Sequence, residues 1–140
     1  MEVAVDTDTG MISVIKYVAA QDSGRIINPR MALNQVEGAI SQMLGFALWE
    51  ELVTDPSTGI TLNASYLQHK VPTIQDYPDI RVIFVDVVDP VGPLGAKGLG
   101  EVPCPGVAPA IANAVYDAIG VRLNELPMNP AKVLRALDSR

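Results

Sequence analysis

The chain is 140 residues long, with 10 Lys plus Arg against 16 Asp plus Glu and a formal charge of −6, a length that suits one domain. The acidic balance and the lack of any Lys/Arg cluster argue against nucleic acid as the main partner, and no apolar run approaches the roughly 18–20 residues of a membrane-spanning helix. Apolar residues make up 49% of the chain and charged residues only 19%, so part of this apolar content is expected to be covered by other protein.

Taken in chain order, residues 2–6 alternate apolar and polar as a half-buried strand does. Asp8-Thr9-Gly10 is turn chemistry, and the β-branched residues from Ile12 to Val18 resume the strand, giving a hairpin. Asp22-Ser23-Gly24 breaks the pattern. Asn28-Pro29 then supplies a helix cap and a first-turn proline, predicting a helix over 29–50. Its core stripe reads Leu33, Val36, Ile40, Met43, Leu44 and Ala47. Gln35, Gly38, Gln42 and Gly45 form a second stripe at helical spacing. A glycine inside a helix costs about 1 kcal/mol relative to alanine. The two glycines therefore imply either close packing of another element or the approach of a flat ligand beside the two amides.

Residues 50–63 resemble a second hairpin around Asp55-Pro56-Ser57-Thr58-Gly59, and 63–78, with two prolines, reads as a long irregular connection. Ile80 to Val88 is expected to be a well-buried strand. The segment 89–103 holds four glycines and three prolines around Lys97 and Glu101. A helix follows over 105–119, its apolar face Val107, Ala110, Ile111, Ala114, Val115 and Ala118, closed by Gly120. Asn129-Pro130 opens a last short helix to about Leu137. Strands and helices do not alternate regularly, which favours an α+β fold: two hairpins and a buried strand packed with one long and two shorter helices.

The glycine loop fits neither phosphate-binding pattern, because Lys97 is followed by Gly98 rather than Ser or Thr, and Gly95, Gly98 and Gly100 run in the wrong order for a dinucleotide fingerprint. Glu101, just ahead of Pro103 and a helix start, reads first as a helix N-terminal carboxylate. A tight loop could also hold it as a base. Cys104 and the single histidine, His69, lie in different segments, so no Cys–His pair is suggested, and no side-chain set has metal-ligand spacing. Lys97 could attract an anion. Met1 is not followed by a charged-then-apolar leader, and one cysteine cannot close an internal disulfide, so a reducing, cytoplasmic setting is expected.

Several motifs together resemble one family. Gln35-Val-Glu-Gly38, Gln42-Met-Leu-Gly45 and the following Leu-Trp-Glu-Glu51 look like a helix motif of the xanthine dehydrogenase/aldehyde oxidase family of molybdenum hydroxylases. The segment 22–29 is similar to the one preceding that helix. Gly95-Ala-Lys-Gly-Leu-Gly-Glu101 resembles the family's active-site loop, and 112–118 with Leu126-Pro127 resembles its closing segments. The resemblance implies that residues 1–140 are one unit similar to the C-terminal portion of the molybdopterin-binding subunit. Glu101 would be the general base in the water-derived hydroxylation of an aldehyde or N-heterocycle. Gln35 would contact the pterin, and Gln42, Gly98 and Gly100 would be further cofactor contacts. The implied cofactor is molybdenum-molybdopterin, possible also as the cytosine dinucleotide. Iron–sulfur and FAD sites would sit on partner chains in an oligomer, and the chain alone would be inactive. The alternative is a non-catalytic assembly domain that keeps the fold without a complete cofactor site.

Overall fold

The computed structural model describes residues 1–85 and 87–139. Strands β1 (Glu2–Val5) and β2 (Ile12–Gln21) pair antiparallel, with Val5 opposite Ile12, as the expected hairpin requires. Asp6 closes the turn by accepting the backbone N–H groups of Asp8 and Thr9 at 2.9 and 3.2 Å. Helix α1 (Pro29–Leu48) begins where the cap predicts: the Asn28 side chain accepts the Met31 N–H at 3.1 Å. Strand β3 (Asp79–Phe84) returns to lie parallel to β2, from Lys16 opposite Asp79 to Gln21 opposite Phe84, giving a three-stranded sheet in the order β1-β2-β3. The chain between β2 and β3 thus makes the long crossover that a parallel pair needs, and α1 forms part of it.

Helices α2 (Val107–Ile119) and α3 (Pro130–Asp138) complete the α+β fold. Gly120 ends α2 in the left-handed region at φ 69°, and Asn129 caps α3 by accepting the Lys132 N–H at 3.1 Å. The core lies where α1 and α2 meet the sheet. Val36, Ile40, Leu44, Val107, Ile111 and Val115 are fully buried there, joined by Met128 and Val133. The Met128 N–H donates to the Ala47 carbonyl at 2.7 Å, tying the segment after α2 to the end of α1.

Four expectations need correction. The second hairpin forms no strands; it is reduced to the single bridge Thr54–Thr61 around a tight turn held by Asp55, because its short flanks have no sheet to join. The strand expected over 80–88 is a half-buried edge strand rather than a fully buried one. Ile80, Val82 and Phe84 face the core while the alternate positions face outward, so its side chains alternate exposed and half-buried. Its expected continuation to Val88 also fails: the strand ends at Phe84, and Val85, Val87 and Val88 are not in strand, with Asp86 outside the described residues. Leu33 and Ala118 are exposed and Met43 half-buried, so the apolar stripes are narrower than their periodicity suggested. Many other apolar side chains are exposed as well, among them Val91 at 92%, Tyr66 at 87%, Ile74 at 85% and Leu67 at 83%. Exposure on this scale agrees with the expectation that other protein covers the chain. Among the described residues no helix is long and apolar enough to cross a membrane.

Candidate functional site

The glycine loop is brought to α1 by a short backbone pairing. Gly24 and Ala96 form an antiparallel bridge, the Arg25 N–H donates to the Gly95 carbonyl at 2.8 Å, and the Lys97 N–H donates to the Ser23 carbonyl at 2.9 Å. Gly24 has φ +66°, and a Cβ there would collide with the Gly95 carbonyl oxygen and lie 2.9 Å from the Lys97 nitrogen, so this approach demands glycine. A side-chain ion pair reinforces the junction: Lys97 Nζ lies 2.7 Å from Asp22 Oδ2, while Asp22 Oδ1 accepts the Gly24 N–H at 3.0 Å. The Lys97 ammonium first, and then the Gly24 N–H, hold the Asp22 carboxyl below the usual aspartate range. The expectation that Lys97 could attract an anion gives way here. Its charge is already engaged by Asp22.

Downstream of this junction the half-buried Leu99 packs against the core, and the chain turns at Glu101, whose carbonyl accepts the Cys104 N–H at 3.0 Å. That turn runs through the buried Pro103 into α2. The result is a surface hollow of about 320 Å³ between α1 and the loop, lined by Asn34, Gln35, Gly38, Ala39, Gln42, Gly100 and Glu101. Four of the five predicted site residues, Gln35, Gln42, Gly100 and Glu101, therefore share one concavity. Gly98 is not among its lining residues. The hollow narrows where the two elements approach, since a Cβ built on Gly100 would sit 3.9 Å from Gln35 Oε1.

The two helix glycines separate. A Cβ on Gly45 would meet the Glu50 carboxylate and would lie 3.2 Å from Pro72 Cδ, so Gly45 answers to packing and lies outside the hollow. A Cβ on Gly38 would meet nothing within 4 Å. Packing inside this chain does not account for Gly38, although it occupies the middle of α1. Asn34 and Ala39 also line the hollow but were not singled out from sequence. Asn34 sits one position from Gln35 and four from Gly38, so helical spacing was the available signal. Larger hollows of about 510 and 570 Å³ lie beside Leu52, but they gather no comparable set of amides, open glycine and loop carboxylate. His69 belongs to the first of these, away from Glu101. Cys104 Sγ lies 3.9 Å from the Ala39 carbonyl, packed behind the hollow.

A family model for the molybdopterin cofactor-binding domain matches residues 1–78. The chain belongs to that family. This molybdopterin-binding domain is similar to the aldehyde oxidoreductase molybdenum-binding subunit PaoC of Escherichia coli K12, with 42% identity over 138 residues, 98% of this chain and 19% of that subunit. It is also 41% identical to the probable hypoxanthine oxidase XdhD of Escherichia coli K12, over 98% of this chain and 14% of that protein. Its fold superposes on quinoline 2-oxidoreductase from Pseudomonas putida 86 with a TM-score of 0.92 and 31% identity, covering 99% of this chain and 18% of that one. The molybdopterin-binding domain thus spans 19% or less of the length of these curated relatives, all of the xanthine dehydrogenase/aldehyde oxidase kind that the motifs resemble. The donor set of the hollow suits a pterin: three side-chain amides, of Asn34, Gln35 and Gln42, can each donate and accept, and the open space over Gly38 leaves room for a flat ring beside them.

Proposed function

We propose that the hollow between α1 and the glycine loop is this chain's share of a molybdenum cofactor site, with Glu101 as general base in the hydroxylation of an aldehyde or N-heterocycle. The observation that carries this reading is the meeting of Gln35, Gln42, Gly100 and Glu101 around one hollow whose helix wall includes a glycine that internal packing does not require. When bound, the molybdenum cofactor supplies oxygen activation and the sink for the substrate's electrons. The side-chain amides of Gln35 and Gln42 would hold and orient the pterin, and Gly100 would let it lie close to the loop backbone. Gly98, outside the hollow, would contribute through loop shape rather than contact. The Glu101 carboxylate would accept a proton as water-derived oxygen is transferred, and it would release that proton to solvent between turnovers.

The domain would act as the C-terminal portion of a larger molybdenum-binding subunit and would be inactive alone, because seven lining residues cannot enclose a pterin. Its exposed apolar side chains support burial against the remainder of that subunit. A cytosine dinucleotide extension of the cofactor would be held by the remaining polypeptide, and iron–sulfur and FAD sites would lie on partner chains of a cytoplasmic oligomer. The test is Glu101→Gln in the assembled enzyme. Loss of a general base costs about 10²–10⁴-fold in turnover. A variant that keeps its molybdenum and pterin but loses turnover on that scale supports the assignment, and turnover within a few-fold of the parent overturns it.

A further inference from the structure

The junction that holds the glycine loop is built from more than its glycines. Asp22 uses both carboxylate oxygens, one on the Gly24 N–H at 3.0 Å and the other on Lys97 Nζ at 2.7 Å. The Lys97 N–H donates to the Ser23 carbonyl at 2.9 Å, so the same residue is anchored through both its backbone and its side chain. Ser23 is itself 2% exposed and its hydroxyl accepts the Gln21 amide at 3.2 Å, which ties the junction to the end of β2. Between this anchor and Glu101 lie only Gly98, Leu99 and Gly100. Cβ atoms built on the two glycines would find their nearest neighbours at 3.9 Å, so neither position is pinned by a closer approach. Lys97 is therefore the last firmly held backbone position before Glu101, apart from the partial seating of Leu99. On the other side Glu101 is tied into the turn that opens α2.

We propose that the Asp22–Lys97 ion pair, together with the Ser23–Arg25 to Gly95–Lys97 backbone pairing, is the positioning device for the Glu101 carboxylate, and that Asp22 is a positioning residue for the site. The proposal rests on the reading of Glu101 given above. An ion pair at 2.7 Å whose partners are 33% and 42% exposed adds little to global stability, because solvent screens it. Its effect is local. It closes a junction separated in sequence by 75 residues, and it fixes one end of a segment that has few other restraints.

The test uses the 140-residue chain, labelled with ¹⁵N, and compares the parent with Asp22→Asn, Lys97→Met and Lys97→Arg. Asp22→Asn keeps an acceptor for the Gly24 N–H and removes both the charge and the acceptor oxygen facing Lys97. Lys97→Met keeps the stem and removes the ammonium, and it serves as the second measurement if the first variant folds poorly. The proposal expects hydrogen exchange at the Arg25 and Lys97 amides to rise about two- to fivefold in both variants, the scale of one screened ion pair. It also expects order parameters to fall at Gly98, Gly100 and Glu101, with α1 and α2 amides unchanged and Lys97→Arg close to the parent. In the assembled enzyme, Asp22→Asn should lower kcat with KM retained, and Lys97→Arg should keep kcat. Unchanged exchange and order at residues 95–101, or loosening spread evenly through α1 and β2, overturns the proposal. If the loop loosens while Glu101→Gln leaves turnover intact, the clamp stands and the base assignment falls; if Glu101→Gln abolishes turnover while the loop is indifferent to Asp22, the reverse holds.

Discussion

Replacing Gly38 by alanine separates the two reasons a glycine can occupy the middle of a helix. Position 38 lies ten residues into the 20-residue α1, and a Cβ there would meet nothing within 4 Å. The folded chain therefore accepts the methyl group without strain, and the substitution gains the intrinsic difference between glycine and alanine, about 1 kcal/mol. An unfolding entropy of about 2.1 cal/mol/K per residue sums to about 0.3 kcal/mol/K for a chain of this length, so the melting temperature should rise by about 3 °C. Gly45→Ala is the control. Its Cβ must displace the Glu50 carboxylate and press on Pro72 at 3.2 Å, so it should gain less or lose. In the assembled enzyme the same methyl at position 38 would intrude on the hollow. Overpacking costs of about 1–3 kcal/mol correspond to a hold on the cofactor weaker by about 5- to 150-fold. Calorimetry of the chain and molybdenum analysis of the assembly read the two effects separately. A stabilised chain with undiminished molybdenum would refute the assignment of the hollow, and a destabilised chain would refute the claim that Gly38 faces open space.

Other substitutions test the frame around the site. Gly24→Ala forces a Cβ against the Gly95 carbonyl at φ +66°, and it should destabilise the chain by about 1–3 kcal/mol, with chemical-shift changes at both 22–25 and 95–97 by NMR. Leu44→Ala, at a fully buried position of α1, should lower stability by about 2–5 kcal/mol in urea titrations; a loss under 1 kcal/mol would mean that the helix does not pack as described. The carboxyls of Asp22 and Asp89 lie below the ordinary aspartate value of 3.8, held there chiefly by the Lys97 ammonium and by the Gly92 N–H respectively. A depressed folded value means that their contribution is complete above the unfolded value and is lost as pH falls through the folded one. Acid unfolding of Asp22→Asn and Asp89→Asn should therefore have a shallower limb below pH 3.8 than the parent, and identical limbs would remove these groups from the account.

Local chemistry made much of this fold legible. Asn28-Pro29 and Asn129-Pro130 mark two helix starts, Gly120 marks a helix end, and all three act in the structure as their chemistry predicts. What escaped the sequence depends on residues far apart in the chain. The parallel pairing of β2 with β3 joins Lys16 to Asp79, and nothing local announces such a partner. The Val, Ile and Phe content of 80–88 suggested a well-buried strand, but β3 alternates exposed and half-buried side chains, with Arg81 among the exposed ones. In the site, the Gln35–Gly38–Gln42 stripe and the glycine loop were each visible, while the junction that brings them together was not. A single bridge between Gly24 and Ala96 leaves no periodic trace. Gly45 shared the stripe by spacing alone, and only the proximity of Glu50 and Pro72 separates it from Gly38.

The most direct measurement of the central claim is an anomalous diffraction map, collected at the molybdenum edge, on crystals of the cofactor-loaded assembly. The account predicts a metal peak at the mouth of the hollow, with the Glu101 carboxylate turned toward it and the pterin within hydrogen-bonding reach of Gln35. A peak elsewhere, with Glu101 facing bulk solvent and other protein filling the space over Gly38, would contradict it.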